Sequence, residues 1–155
     1  MKKRYFPMFV DLSDQQVVVV GGGEAALVKA QTLLQFTRNV TVIAPKMNLQ
    51  LLEMGKTGQI QRKLRNVRRA DLETAYLVVA ASEDWKINYE IYRFCKEEGI
   101  YVYVIDNPEE CDFFFPEVYT GGNFVAGLYA EDAEPDTVKK VKAEIGKLLV
   151  NPDKE

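Results

Sequence analysis

Three consecutive glycines, Gly21-Gly22-Gly23, stand directly after a run of valines and directly before Glu24-Ala25-Ala26. Read as G-x-G-x-x-A, the segment has the parts that a pyrophosphate site needs. Gly21 permits a tight turn, Gly23 lets the backbone approach the phosphates, and Ala26 is small enough for close helix-strand contact. A helix opening at this point offers unpaired N–H groups and the positive end of its dipole to an anion. The chemistry this predicts is the binding of NAD or NADP. Alone, a glycine triplet is only a turn; its place between strand and helix gives it weight. One part of the fingerprint is missing. Selection for NAD rests on Asp or Glu at the end of the second strand, against the ribose hydroxyls, and here that point reads Ile43-Ala44-Pro45-Lys46. NADP is therefore not excluded. Lys46 is either a partner for a 2′-phosphate or a solvated loop lysine.

The chain contains no histidine, which removes Ser-His-Asp triads, Cys-His pairs and histidine metal sites. Proton transfer falls to carboxylate, Lys, Tyr or Cys. Asp106 follows Val102-Tyr103-Val104-Ile105, at the strand edge where open α/β sheets bind ligands, and is the natural acid/base candidate; the plain alternative is a turn aspartate before Asn107-Pro108. Ser82 and Glu83, after the fourth strand, are within reach of a bound dinucleotide, and Asp84 is placed to cap the next helix. Cys95 falls on an apolar helix face and reads as core. Cys111 reads as inert, and the two cysteines fit no metal spacing, so no metal site is expected. Phe113-Phe114-Phe115 suits core packing better than an aromatic pocket. The net charge of -3 gives no reason to expect nucleic acid or an anionic membrane as partner. No apolar run approaches the ~20 residues of a membrane helix. The basic Met1-Lys2-Lys3-Arg4 is followed by too short an apolar run, broken at Asp11, for a secretory signal. A cytoplasmic protein is expected.

The elements that must hold these residues alternate. Gln16 to Val20, Val40 to Ala44, Tyr76 to Ala81 and Val102 to Ile105 are β-branched or apolar runs of the kind buried on both faces of a parallel sheet. Between them, Ala26, Ala30, Leu33 and Leu34 recur at helical spacing, as do Ile87, Ile91, Phe94 and Cys95 before the stop at Gly99. A weaker helix at Leu49 to Met54 precedes a short strand near Gln59 to Leu64. This order predicts an α/β fold, a Rossmann-type parallel sheet with helices on both faces, over residues 1–112. In residues 113–155 the rhythm breaks. Glu117 to Thr120 and Phe124 to Tyr129 form a hairpin around Gly121-Gly122-Asn123, and a helix after Pro135 carries Val138, Val141, Ile145, Leu148 and Leu149 on one face. A hairpin and one amphipathic helix bury too little alone and must pack on the sheet or on a second copy of the chain. The expectation is a homodimer built from this segment.

Several segments then read together: Phe6-Pro7-Met8-Phe9-Val10-Asp11-Leu12; Val18 to Ala26 with Lys29; Val40 to Pro45; Val78 to Asp84 with Asn88; and Tyr103 to Pro108 with Cys111 and Phe113-Phe114-Phe115-Pro116. In this order they resemble the precorrin-2 dehydrogenase and sirohydrochlorin ferrochelatase family, the NAD-binding module of siroheme synthase. The resemblance runs to about Pro135, near the start of the family's helical region and with no methyltransferase domain after it. It implies NAD-dependent removal of two hydrogens from the tetrapyrrole precorrin-2, giving sirohydrochlorin. Asp106 would take the proton, and would assist chelation in members that insert iron. Cofactor contacts are implied at Gly21, Gly22, Gly23, Glu24, Ala25, Pro45, Lys46 and Ser82. Two segments depart from the family. Tyr129 to Pro135 replaces a Ser-Thr-Gly-Gly-like turn and Ser-Pro, and Gly121-Gly122-Asn123 replaces an Arg-Ser-Pro stretch. Acidic Glu131-Asp132 and a lost arginine work against a polycarboxylate substrate. Two roles follow: the dehydrogenase, or a non-catalytic dinucleotide-binding homologue acting as sensor or partner of a tetrapyrrole enzyme.

Overall fold

The computed structural model describes residues 5–130 and 134–150; Met1 to Arg4 and the Glu131-Asp132 turn lie outside them. Five strands, β1 (Val17–Val20), β2 (Val40–Ile43), β3 (Gln61–Lys63), β4 (Leu77–Ala80) and β5 (Tyr101–Val104), form one sheet in the order β3-β2-β1-β4-β5. Every pairing is parallel: Val17 lies beside Val40 on one side and Leu77 on the other. All four residues of β1, β2 and β4 are buried, which explains why their sequences run continuously apolar instead of alternating. The connections are helices α1 (Glu24–Leu33), α2 (Leu49–Lys56) and α3 (Trp85–Glu98). This is the Rossmann-type α/β architecture, with strand order reversing at β1 and β4.

Local chemistry sets the helix ends. The Asn48 side chain accepts a hydrogen bond from the Leu51 N–H at 2.9 Å and opens α2. Asp84 accepts from Lys86 N–H at 2.9 Å and opens α3, as its position predicts. Gly99, left-handed at φ 70°, closes α3. Cys95 is fully buried in the core, where burial, with a smaller push from Asp112, raises its thiol to about 12.

The link from β3 to β4 is held by one buried carboxylate. Asp71, 8% exposed, takes Lys63 Nζ at 2.7 Å, both terminal nitrogens of Arg65 at 2.7 and 2.8 Å, and the Arg68 N–H at 2.9 Å. The Arg65 guanidinium, ahead of Lys63, holds this carboxyl well below the usual carboxylate range. Arg65 also donates to the Asn66 carbonyl at 3.0 Å and so fixes the segment that follows β3.

Residues 8–113 make one compact unit, and residues 5–7 with 114–130 and 134–150 make another. The second unit has strands β6 (Glu117–Gly121) and β7 (Phe124–Leu128), antiparallel, and helix α4 (Pro135–Val150). The turn is one residue tighter than the sequence suggests. Gly121 pairs with Phe124, leaving Gly122 and Asn123 as a two-residue loop, with Gly122 at φ 56°. A loop of that length needs positive φ to match the strand twist, and Gly122 supplies it. Tyr119 lies over Gly121 and against Gly146 of α4, where a methyl group would come within 3.0 Å of the ring. Lys142 pairs with Glu117 at 2.6 Å. Among the described residues of this unit Phe115 alone is buried, while Phe124, Val125, Val141 and Leu148 are exposed.

Candidate dinucleotide site

The carboxyl ends of β1, β2 and β4 open into a cleft of about 620 Å³, within the size range of small-molecule sites. Gly21, Gly22, Gly23, Pro45, Lys46 and Ser82 line it. Close backbone contacts require glycine at two of the three positions. Gly21 sits at φ 141°, and a Cβ there would stand 2.2 Å from the Ala81 carbonyl oxygen. A Cβ on Gly22 would lie 1.8 Å from the Lys46 carbonyl oxygen, so Gly22 lets the β2–α2 loop close on the turn. That loop is also bonded to it, Asn48 N–H donating to the Gly22 carbonyl at 2.8 Å. Gly23 differs: its Cβ would meet only the Glu83 carboxylate, at 3.4 Å. The space beside Gly23 is a cradle that a side chain would fill.

Gly23 is also the cap of α1, and no side chain bonds the first turn. The helix begins bonding at Leu27 N–H to Gly23 carbonyl, 3.1 Å. The amides of Glu24 and Ala25 lie ahead of that point, in the first turn, where a helix offers N–H groups to an anion. Neither side chain lines the cleft; both are exposed. These residues fit a dinucleotide through main chain alone. On the β2 side the cleft is lined by Lys46, Asn48 and Asn66 and by no carboxylate; its acids, Glu83 and Glu90, come from the β4–α3 turn and from α3. Asn66 escapes a sequence reading because its place depends on the Asp71 cluster, which shows no sequence pattern of its own.

Asp106 does not line the cleft, but one buried side chain connects it there. Asn88, fully buried on α3, donates from Nδ2 to Asp106 Oδ2 at 3.0 Å and to the Ser82 carbonyl at 2.9 Å. Its Oδ1 accepts from the Ser82 N–H at 2.9 Å. The sequence holds a signal for this: Asn88 shares the buried stripe of Ile91 and Cys95, and a polar group there demands partners. Cys111 bonds the backbone of Val104, Sγ lying 3.2 Å from both its nitrogen and its oxygen. Tyr103 is raised by burial and, less, by Cys111. With Cys95 also raised, both of these groups stay protonated near neutrality.

Fold, glycine cradle and uncapped helix define a dinucleotide-binding domain. The comparisons with known proteins agree. Residues 8–117 match the model of the family described as "Putative NAD(P)-binding". The chain belongs to this NAD(P)-binding family, and its cofactor is a nicotinamide dinucleotide. It is 35% identical over 139 residues to the "Probable multifunctional siroheme biosynthesis protein HemA" of Ruminiclostridium josui, covering 90% of this chain and 27% of that protein. It is 32% identical over 146 residues to the siroheme synthase of Nitrosococcus oceani, covering 94% of this chain and 31% of the relative. The chain thus spans between a quarter and a third of these proteins. Among solved structures it superposes on "SirC, precorrin-2 dehydrogenase" with a TM-score of 0.80 at 24% identity, over 92% of this chain and 70% of that one.

Proposed function

We propose that the chain removes two hydrogens from precorrin-2, yielding sirohydrochlorin, with NAD as acceptor. The observation that carries this is the Asp106 carboxylate, bonded through Asn88 to Ser82 on the wall of the glycine cleft. When bound, the nicotinamide accepts a hydride. The protein must then take the accompanying proton, and Asp106 is its acceptor. Gly21, Gly22, Gly23, Pro45, Lys46 and Ser82 hold the dinucleotide, with the Glu24 and Ala25 amides on its pyrophosphate. Because no acid faces the ribose from β2, discrimination between NAD and NADP is modest. The siroheme names of the relatives support the substrate. We place the protein in the cytoplasm; among the described residues no helix is long and apolar enough to cross a membrane. Anaerobic incubation with precorrin-2 and NAD should give NADH and sirohydrochlorin in equal amounts. Dinucleotide bound with no NADH formed would overturn the activity.

Two further outcomes are expected. Gly23→Val fills the cradle, so calorimetry should show dinucleotide affinity at least about tenfold weaker, the loss of a good charged hydrogen bond or more. Undiminished affinity would move the pyrophosphate elsewhere. The protein is also expected to be a two-fold dimer through α4, whose Val141 and Leu148 are 46% and 74% exposed; Val138, Ile145 and Leu149 beside them are half-buried. Light scattering should report twice the chain mass at micromolar concentration, and Leu148→Asp should shift it toward the single chain. A monomeric parent would refute the interface.

A further inference from the structure

The three hydrogen bonds of Asn88 use its whole amide. Ser82 N–H can only donate, so the side-chain oxygen must face it, and the two amide hydrogens are then directed at the Ser82 carbonyl and Asp106 Oδ2. The orientation of the amide is thereby set by the backbone of the β4–α3 turn. The side chain is fully buried, so water does not substitute for either partner. Ser82 N–H and carbonyl are both occupied by one side chain, and the remaining hydrogen of that side chain goes to the carboxylate 18 residues further on.

We infer that Asn88 is a positioning residue that fixes the Asp106 carboxylate relative to the cofactor-facing Ser82 turn. It rests on the reading of Asp106 as proton acceptor and of Ser82 as cofactor wall. Asp106 is exposed and follows the last residue of β5 by two. An exposed carboxylate beyond a strand end samples several rotamers, and one donated charge-assisted bond selects among them. The bond occupies Oδ2 and leaves Oδ1 as the oxygen to receive a proton. Because the same amide clamps Ser82, the cleft wall and the base move together.

The test compares Asn88→Leu, which keeps volume and removes all three bonds, with Asn88→Ser, a smaller change that admits water should the leucine variant fail to fold. Asp106→Asn is the third protein. Calorimetry with NAD should show affinity about tenfold weaker in both Asn88 variants and unchanged in Asp106→Asn. With precorrin-2, kcat should fall about tenfold or more in the Asn88 variants while KM for precorrin-2 stays within twofold, the signature of a lost transition-state contact rather than lost substrate binding. NAD affinity within twofold of the parent in both Asn88 variants would overturn the inference, as would an unchanged kcat. A parent that binds NAD but leaves precorrin-2 intact overturns the dehydrogenase reading and with it the base that Asn88 positions; the affinity comparison then still decides whether Asn88 holds the Ser82 wall of the cleft.

Discussion

Asp106→Asn is expected to bind NAD as the parent does and to turn over precorrin-2 at least ~100-fold more slowly, the usual cost of losing a general base. The substitution is isosteric. An amide oxygen can still accept from Asn88 Nδ2, the 3.0 Å bond that holds the carboxylate, so shape and tether survive while basicity goes. No histidine exists to take over the proton. Tyr103 and Cys95 are both raised and stay protonated near neutrality. Initial rates with saturating NAD, alongside calorimetry on the same preparation, check both halves. Parent-like turnover in the Asn variant clears Asp106 of the role. A parent that binds NAD and forms no NADH favours the non-catalytic homologue, for which the Glu131-Asp132 turn, outside the described residues, and the arginine missing at Gly121-Gly122-Asn123 are the first suspects.

The second large effect concerns stability. Asp71→Ala should cost about 3 kcal/mol, the low end for breaking a buried ion pair, because Lys63 and Arg65 keep part of their charge in water and are screened. The Asp71 side chain is 5% exposed against 38% and 33% for its partners. Removing it strands two cations and the Arg68 N–H around an empty site. Urea titration at neutral pH should show a lower midpoint with little change in slope. The acid dependence has a definite sign. The native carboxyl is held far below its unfolded value of about 4, so its contribution is complete above that value and is lost as pH falls toward the native one. The gap between parent and variant should therefore be constant near neutrality and narrow as the solution is acidified below about pH 4. A constant gap down to strong acid would mean that the carboxylate is not what holds the segment.

Much of this molecule can be read from its sequence, for identifiable reasons. The valine run at 17–20 and the apolar run at 77–80 are buried on both faces, and continuous β-branched sequence is the direct trace of that burial. The glycine turn is legible because its demand falls on residue size within six consecutive positions between a strand and a helix. Asp84 is legible because a helix cap is local. What escapes a sequence reading depends on pairs that no local pattern joins and that meet only in the fold. Gly22 reads as part of the phosphate turn, yet its lack of a side chain is demanded by the Lys46 carbonyl. Lys63, Arg65 and Asp71 show no pattern until the β3–β4 crossover folds them together. Asn88 is visible as a polar residue on an apolar stripe, but its partners are not. The hairpin turn is misjudged by one residue because glycine at 121 suits a strand end and a loop equally well.

The contact between Gly22 and residue 46 is made by the carbonyl oxygen of Lys46, not by its side chain, which is exposed. The scaffold of the phosphate turn is thus indifferent to the identity of residue 46. On the proposed reading of the cleft, an acid, an amide or a second basic group placed there should retune the choice between the two nicotinamide coenzymes, while the backbone of the glycine turn stays as it was.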